Sequence, residues 1–208
     1  MAQPELRGRR AIIVDLLGHG DSDRPADFSY TLRAHAAVVA AVLDEVAVSG
    51  ATLIGHSMGG SIAILLAAAR PDLAGRVVVA EPNLRAGGGL YSSGIAAYTE
   101  VDFVDHGFAR LVERLEPGFA ARVRMADPVA LHRSAVGLVT EVTPSVGELF
   151  AGLPQPRALL LGARSHPYAE AGEIRAAGIP VIEVPDAGHD MMYDNPVGFA
   201  SALRRAMA

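Results

Sequence analysis

The order of apolar and polar positions along the chain predicts strands that alternate with helices. Continuous apolar runs are typical of strands buried on both faces of a parallel sheet. Five such runs predict strands at 9–16, 51–55, 76–81, 157–162 and 180–184. Helical periodicity predicts helices at 31–46, 58–69, 168–177 and 197–207, the first of them capped by Ser29. The alternation predicts an α/β fold with a doubly wound, mostly parallel sheet.

The section 83–156 breaks this alternation, because it offers helical patterns and no strand pattern. More than seventy residues are too many for a simple crossover connection. We therefore expect a helical cap inserted at 83–156 over the carboxyl edge of the sheet, with helices at 106–116 and 127–142. Residues 1–82 and 157–208 would form the core. Apolar cap side chains are expected to pack the cap or shape a pocket: Tyr91, Tyr98, Phe103, Phe108, Met125 and Leu131.

Composition narrows the class of protein. With 208 residues, half of them apolar, the chain is long enough for one domain with a sizeable core. A net charge of −5 argues against a nucleic-acid partner. The absence of cysteine excludes disulfides and thiolate catalysis. No apolar leader opens the chain and no apolar run reaches the ~20 residues of a membrane span, so we expect a cytoplasmic protein without a membrane partner.

A serine boxed by glycines follows the second predicted strand, in the stretch Gly55-His56-Ser57-Met58-Gly59. Gly-x-Ser-x-Gly at a strand-to-helix junction places the serine on a sharp turn, where its hydroxyl is exposed above the sheet. The amides at the start of the following helix favour developing negative charge. The pattern therefore predicts that Ser57 is a nucleophile and that the Met58 amide is an oxyanion donor.

A serine hydroxyl needs a base to become nucleophilic at neutral pH. His189, in the stretch "VPDAGHDMMYDNP", directly follows the last predicted strand. In an open α/β sheet this position lies at the same carboxyl edge as Ser57. We therefore predict His189 as the general base and expect the adjacent His56 to point away from the serine.

Three segments together resemble a known family. "VDLLGHGDSDRP", "GHSMGG" and "AGHDMMYDNP" are similar, in order and approximate spacing, to the signature segments of the α/β-hydrolase-fold superfamily, and in particular to its serine esterases. The resemblance implies that Ser57 is the nucleophile, His189 the base and Met58 an oxyanion-hole residue. It implies no metal and no organic cofactor. A serine nucleophile argues against dehalogenase or epoxide-hydrolase chemistry, which uses an aspartate in this fold.

The residue that orients the histidine departs from the family pattern. Members usually carry an aspartate after the penultimate strand, where this chain has Ser165 in "LLLGARSHP". Some members place the acid after the strand that follows the nucleophile's helix, and here that strand ends at Glu81. A carboxylate at a buried strand end is costly without a partner. We predict Glu81 as the triad acid, with Asp186 and Asp190 as alternatives.

The N-terminal part also departs from the pattern. The resemblance implies an earlier strand that ends in a His-Gly loop and supplies a second oxyanion donor, but no His-Gly pair precedes Ala11. The fold is thus expected to be N-terminally shortened. Either the strands at 9–16 and 51–55 pair directly, or another chain fills the gap between them. The second case would make the protein a homo-oligomer.

The residues predict a serine hydrolase that acts on a small carboxylic ester, lactone or related acyl substrate through a Ser-His-acid triad. An alternative is a catalytically weak or inactive α/β-hydrolase-like protein, either a binding module or a truncated remnant. Ser165 and the missing His-Gly loop favour this alternative, whereas Ser57 and His189 argue against it. A perhydrolase or haloperoxidase-type activity would use the same triad.

Overall fold

Four parallel strands form the sheet in the computed structural model, which describes residues 4–89, 91–140 and 143–208. They are β1 (Ala51–His56), β2 (Ala74–Ala80), β3 (Arg157–Gly162) and β4 (Val181–Val184), and they lie side by side in this order. Every neighbouring pair is parallel. The carboxyl ends of all four strands therefore meet at one edge, and the predicted α/β fold with a parallel sheet is confirmed.

Helices cover both faces of this sheet. On one face lie α1 (Leu32–Glu45), α2 (Met58–Ala69) and α9 (Ala171–Ala176), which share a core cluster with side chains of β1, β2 and β3. On the other face, α11 (Pro196–Ala206) packs in a second cluster with side chains of β2, β3 and β4. Burial on both faces explains why these strands appear in the sequence as continuous apolar runs.

The start of α1 differs from the prediction by its cap. Thr31, not Ser29, is the N-cap, because its hydroxyl accepts a hydrogen bond from the Ala34 amide at 3.2 Å. Thr31 directly precedes the first helical residue and has an extended backbone, which is the geometry that an N-cap requires. Ser29 lies two residues too early to reach a first-turn amide.

The predicted strand at 9–16 is wrong, because this segment is not a strand in the structure. Direct pairing with 51–55, one of the two alternatives considered from the sequence, is also absent, and the outer edge of β1 has no strand partner in the described ranges. Ile13 is 81% exposed, and Ile54 on that edge is 49% exposed. An apolar run favours a strand only where a neighbouring strand satisfies its backbone hydrogen bonds. Self-association through this edge stays a prediction.

Every regular element that the structure describes in the middle section is a helix. The section contains α3 (Ser92–Ala96), α4 (Glu100–Asp102), a π-helical turn (Phe103–Gly107), α5 (Phe108–Arg114), α6 (Pro117–Val123), α7 (Pro128–Val139) and α8 (Val146–Gly152). Ile95, Phe103 and Ala135 form an apolar cluster of their own. By contrast, Val146 and Phe150 of α8 pack in the main core. The cap limits 83–156 stay a prediction, and the last two residues of the predicted helix 127–142 lie outside the described residues.

Candidate active site

Ser57 occupies the tight turn between β1 and α2. Its backbone has φ 51° and ψ −124°, a left-handed conformation that costs a non-glycine residue about 1–3 kcal/mol. The turn is possible because its neighbours are small: a Cβ added at Gly55 would lie 2.3 Å from the Gly59 carbonyl oxygen. The Ser57 amide donates to the Ala80 carbonyl at 2.9 Å and so ties the turn to β2. The predicted strand–turn–helix context of the serine is present.

Glu81 leaves the sheet on the strand next to the serine. Because His56 of β1 pairs with Ala80 of β2, the residues that follow them, Ser57 and Glu81, emerge at the same edge. The Glu81 side chain is buried, and its Oε2 accepts a hydrogen bond from His189 Nδ1 at 2.8 Å. Its Oε1 accepts from the Gly162 amide at 2.8 Å. Both carboxylate oxygens are therefore satisfied, which resolves the cost of burying the charge.

These hydrogen bonds shift the pKa values of both partners. The hydrogen bond to Glu81 raises the pKa of His189 above its ordinary value and outweighs burial, and the Glu81 and Asp190 charges act in the same direction. Burial acts to raise the pKa of Glu81, but hydrogen bonds from His189 and the Gly162 amide, with a further contribution from Ser165, bring it below its ordinary value. The pair thus combines a carboxyl group of increased acidity with an imidazole of increased basicity.

The alternative acids lie elsewhere. Asp186 and Asp190 are exposed, and neither hydrogen-bonds the His189 ring among the described residues. Ser165, at the position where the family usually has its aspartate, lies in the short turn after β3 and contributes to the lowered pKa of Glu81. Of the carboxylates considered from the sequence, Glu81 is the one that the fold brings to His189.

His56 has a role in the site that the sequence did not reveal. Its Nε2 lies 2.9 Å from the main-chain oxygen of His189, so Nε2 carries the proton and donates it to that carbonyl. The two rings lie 4.5 Å apart, centroid to centroid. Burial, followed by the nearby His189, lowers the pKa of His56 and favours its neutral form. His56 thereby supports the loop that carries His189, although no local pattern distinguishes it from a turn residue.

Met58 is the first residue of α2. Its amide is among the first-turn N–H groups that a helix leaves without an intrahelical acceptor. The positive end of the helix dipole adds to the attraction of an anion at this point. The position suits an oxyanion donor next to Ser57.

A cavity of about 580 Å³ opens beside Ser57, Met58 and His189. Its apolar wall comes largely from the middle section and comprises Tyr91, Ile95, Leu111, Leu115, Phe119, Leu131 and Leu138. Of the six cap residues singled out from the sequence, Tyr91 and Leu131 line this cavity. Phe103 is instead buried in the apolar cluster of the cap, and Met125 is 47% exposed. An apolar cavity of this size suits a small organic molecule.

The described ranges contain no group of three or more His, Cys, Asp or Glu side chains placed to hold a metal ion. Among the same residues, no helix combines the length and the apolar character needed to cross a membrane.

Comparison with known proteins places the chain among hydrolases. A family model described as "Alpha/beta hydrolase family" matches residues 2–202. The mouse sn-1-specific diacylglycerol lipase ABHD11 is 30% identical over 239 residues, which cover 100% of this chain and 74% of that protein. The 2-hydroxymuconate semialdehyde hydrolase of Pseudomonas sp. (strain CF600) is 31% identical over 76% of this chain, and the chain spans 53% of its length.

Solved structures show the same fold. An esterase (EaEST) from Exiguobacterium antarcticum superposes with a TM-score of 0.74 at 18% identity, over 93% of this chain and 80% of that one. The N-acyl homoserine lactonase AidH, complexed with N-butanoyl homoserine, superposes with a TM-score of 0.69 at 22% identity, over 93% of this chain and 76% of that one.

Proposed function

The chain belongs to the alpha/beta hydrolase family, and from that premise we propose that it is a serine hydrolase of small carboxylic esters, lactones or related acyl compounds. One observation carries the proposal. The buried Glu81 carboxylate holds His189 Nδ1 at 2.8 Å, at the edge where Ser57 stands in a strained turn beside an apolar cavity. Nucleophile, base and acid in this arrangement form the constellation of acyl transfer.

The proposed mechanism proceeds through an acyl-enzyme. His189 Nε2 takes the proton of the Ser57 hydroxyl as Oγ attacks the substrate carbonyl, and the Met58 amide stabilises the oxyanion of the tetrahedral intermediate. His189 then returns the proton to the leaving alcohol. Water attacks the acyl-enzyme with His189 again as base, which releases the acid and regenerates Ser57. No metal or organic cofactor takes part.

The geometry of the site is compatible with this sequence of steps. In the described part of the chain no hydrogen bond joins Ser57 Oγ to His189, whereas the His189–Glu81 bond is short and well formed. Catalytic hydrogen bonds to the nucleophile are often long before substrate binds, and they tighten in the complex. Glu81 fixes the tautomer in which Nδ1 carries the proton, so Nε2 is free to accept one.

The cavity and the relatives support an acyl substrate. About 580 Å³ is within the range of small-molecule sites, and the wall is rich in aliphatic and aromatic side chains. The relatives and structural neighbours include proteins named as a lipase, an esterase and a lactonase. An apolar acyl chain beside Ser57 would find matching surface in this wall.

Covalent labelling tests the proposal directly. A fluorescent organophosphonate probe should label the purified protein at Ser57, and Ser57→Ala should abolish labelling while its thermal unfolding stays close to that of wild type. Labelling should correlate with hydrolysis of para-nitrophenyl butyrate. If the folded wild-type protein is neither labelled nor active, the chain is an inactive relative and the hydrolase proposal is wrong.

A further inference from the structure

Among the described residues, Arg122 is the one arginine that lines the cavity beside Ser57. It lies on α6, and its guanidinium carbon is 4.4 Å from the ring centroid of Tyr193 and 5.4 Å from that of Phe119. Tyr193 belongs to α10 (Met191–Asp194), the short helix that begins two residues after His189. The cation is thus held by aromatic rings from the cap and from the catalytic loop.

Within the described ranges, Arg122 makes aromatic contacts and its guanidinium donates no hydrogen bond. A cation–π contact uses the face of the guanidinium, whereas its five N–H groups point outward in its plane. Other arginines spend these donors on carboxylates, as Arg133 does on Glu100 and Arg70 on Asp44. Arg122 has no carboxylate within 4.0 Å in the described ranges. Its donor edge is therefore available to a molecule in the cavity.

The acidic and basic groups of the cavity come from different parts of the chain. Asp190 lies beside the base and contributes to the raised pKa of His189, whereas Arg122 reaches the wall from the cap. Burial lowers the pKa of His19 and of His56, so these two wall residues favour the neutral form near pH 7. Among the described lining residues, Arg122 is then the permanent positive charge, on the cap side of a wall rich in apolar side chains.

We propose that Arg122 is an anion subsite, and that the preferred substrates are esters or related acyl compounds that carry a carboxylate away from the scissile bond. This inference rests on the proposed function. A guanidinium preoriented on aromatic rings can bind a carboxylate through two parallel N–H···O bonds. Because α6 belongs to the cap, binding of such a substrate would also hold the cap against the catalytic loop.

Two matched ester pairs test the subsite on either side of the scissile bond. The first pair is para-nitrophenyl hexanoate and the para-nitrophenyl monoester of adipic acid, which differ by a carboxylate on the acyl chain. The second is phenyl butyrate and meta-carboxyphenyl butyrate, which differ by a carboxylate on the alcohol. In at least one pair, wild type should favour the charged ester, and Arg122→Gln should lower its kcat/KM about tenfold, the value of one charge-assisted hydrogen bond.

Controls separate charge recognition from other effects. In the responding pair, Arg122→Gln should lower the ratio of kcat/KM for the charged ester to kcat/KM for the neutral ester about tenfold. Added salt should raise the KM of wild type for the charged ester alone. Arg124 is also an exposed arginine of this cap segment, but it does not line the cavity. Arg124→Gln should therefore leave the charged-to-neutral ratio of kcat/KM unchanged in both ester pairs. If Arg122→Gln changes the charged and neutral members of both pairs by the same factor, the subsite does not exist. Failure of wild type to label or to cleave the neutral esters would instead overturn the proposed function.

Discussion

The raised pKa of His189 comes mainly from one buried carboxylate, that of Glu81. Glu81 accepts the Nδ1 proton of His189 at 2.8 Å and is itself held by the Gly162 amide, while Ser165 stands where a charged partner was expected. An uncharged hydroxyl cannot stabilise an imidazolium ion, but it can help to hold the carboxylate that does. Ser57 and His189 could be predicted from chain order and turn residues. Glu81 could be predicted from the position that some family members use for the acid, together with the cost of a buried charge. The contact of His56 with the His189 loop was not predicted.

The pH profile of hydrolysis reports this pair. Because Glu81 raises the pKa of His189, kcat/KM of wild type should fall as pH drops through a value above 6.5. Glu81→Gln keeps the shape but removes the charge, so the midpoint should move to lower pH and kcat should drop roughly 10²–10⁴-fold. Steady-state rates from about pH 5 to about pH 9 measure both effects. Ser165→Ala should have a much smaller effect on both, and a Glu81→Gln profile identical to that of wild type would exclude Glu81 as the acid.

At the scale of elements, the site is made by two neighbouring strand ends. Ser57 and Glu81 each follow a parallel strand, and both have positive φ, 51° and 41°. The side chains of Ser57 and Glu81 therefore lie at the same edge of the sheet, at the ends of adjacent strands. The strand and helix on either side of Ser57 can be predicted from apolar runs and small residues, because both are local properties. The N-cap of α1 was predicted two residues early, because local patterns place element boundaries poorly.

Two glycines flank Ser57 in the tight turn between β1 and α2, and they make a matched pair for a test of how this turn packs. A Cβ at Gly55 would lie 2.3 Å from a backbone oxygen, whereas one at Gly59 meets nothing within 4 Å. Gly55→Ala should therefore lower the free energy of unfolding by about 1–3 kcal/mol or more. Gly59→Ala should leave it unchanged or raise it by up to about 1 kcal/mol through helix propensity. Denaturant unfolding measures the free energy of unfolding of both variants. Equal values for the two variants would contradict the close packing of Gly55 against Gly59.

At the scale of the whole molecule, a buried polar contact joins core and cap. His35 on α1 is fully buried, and its Nε2 donates to the Ser134 hydroxyl of α7 at 3.3 Å. Ser134 in turn donates to the Tyr30 carbonyl at 3.3 Å. His35 Nδ1 has no hydrogen-bond partner among the described residues. Burial, with a smaller effect of His19, therefore lowers the pKa of His35 to about 4.

This contact predicts loss of stability in mild acid. A folded-state pKa of about 4 lies below the ordinary 6.5, so the contribution is complete above pH 6.5 and is lost as pH falls toward 4. Between about pH 7 and about pH 5 the loss from His35 should be about 2 kcal/mol. His35→Gln should show a correspondingly weaker fall in unfolding free energy over the same interval. Parallel stability curves for the two proteins would show that His35 is not the group that titrates.

Local patterns alone determined the four strands that form, the α/β class and the positions of Ser57 and His189, because apolar runs and turn residues act between near neighbours in the chain. Tertiary structure decided the rest. The pairing of Glu81 with His189 joins residues 108 positions apart, and Arg122 reaches Tyr193 from another element. The run at 9–16 has the composition of a strand, but among the described residues no neighbouring strand completes its hydrogen bonds. Partners distant in sequence are set by packing, which no local pattern encodes.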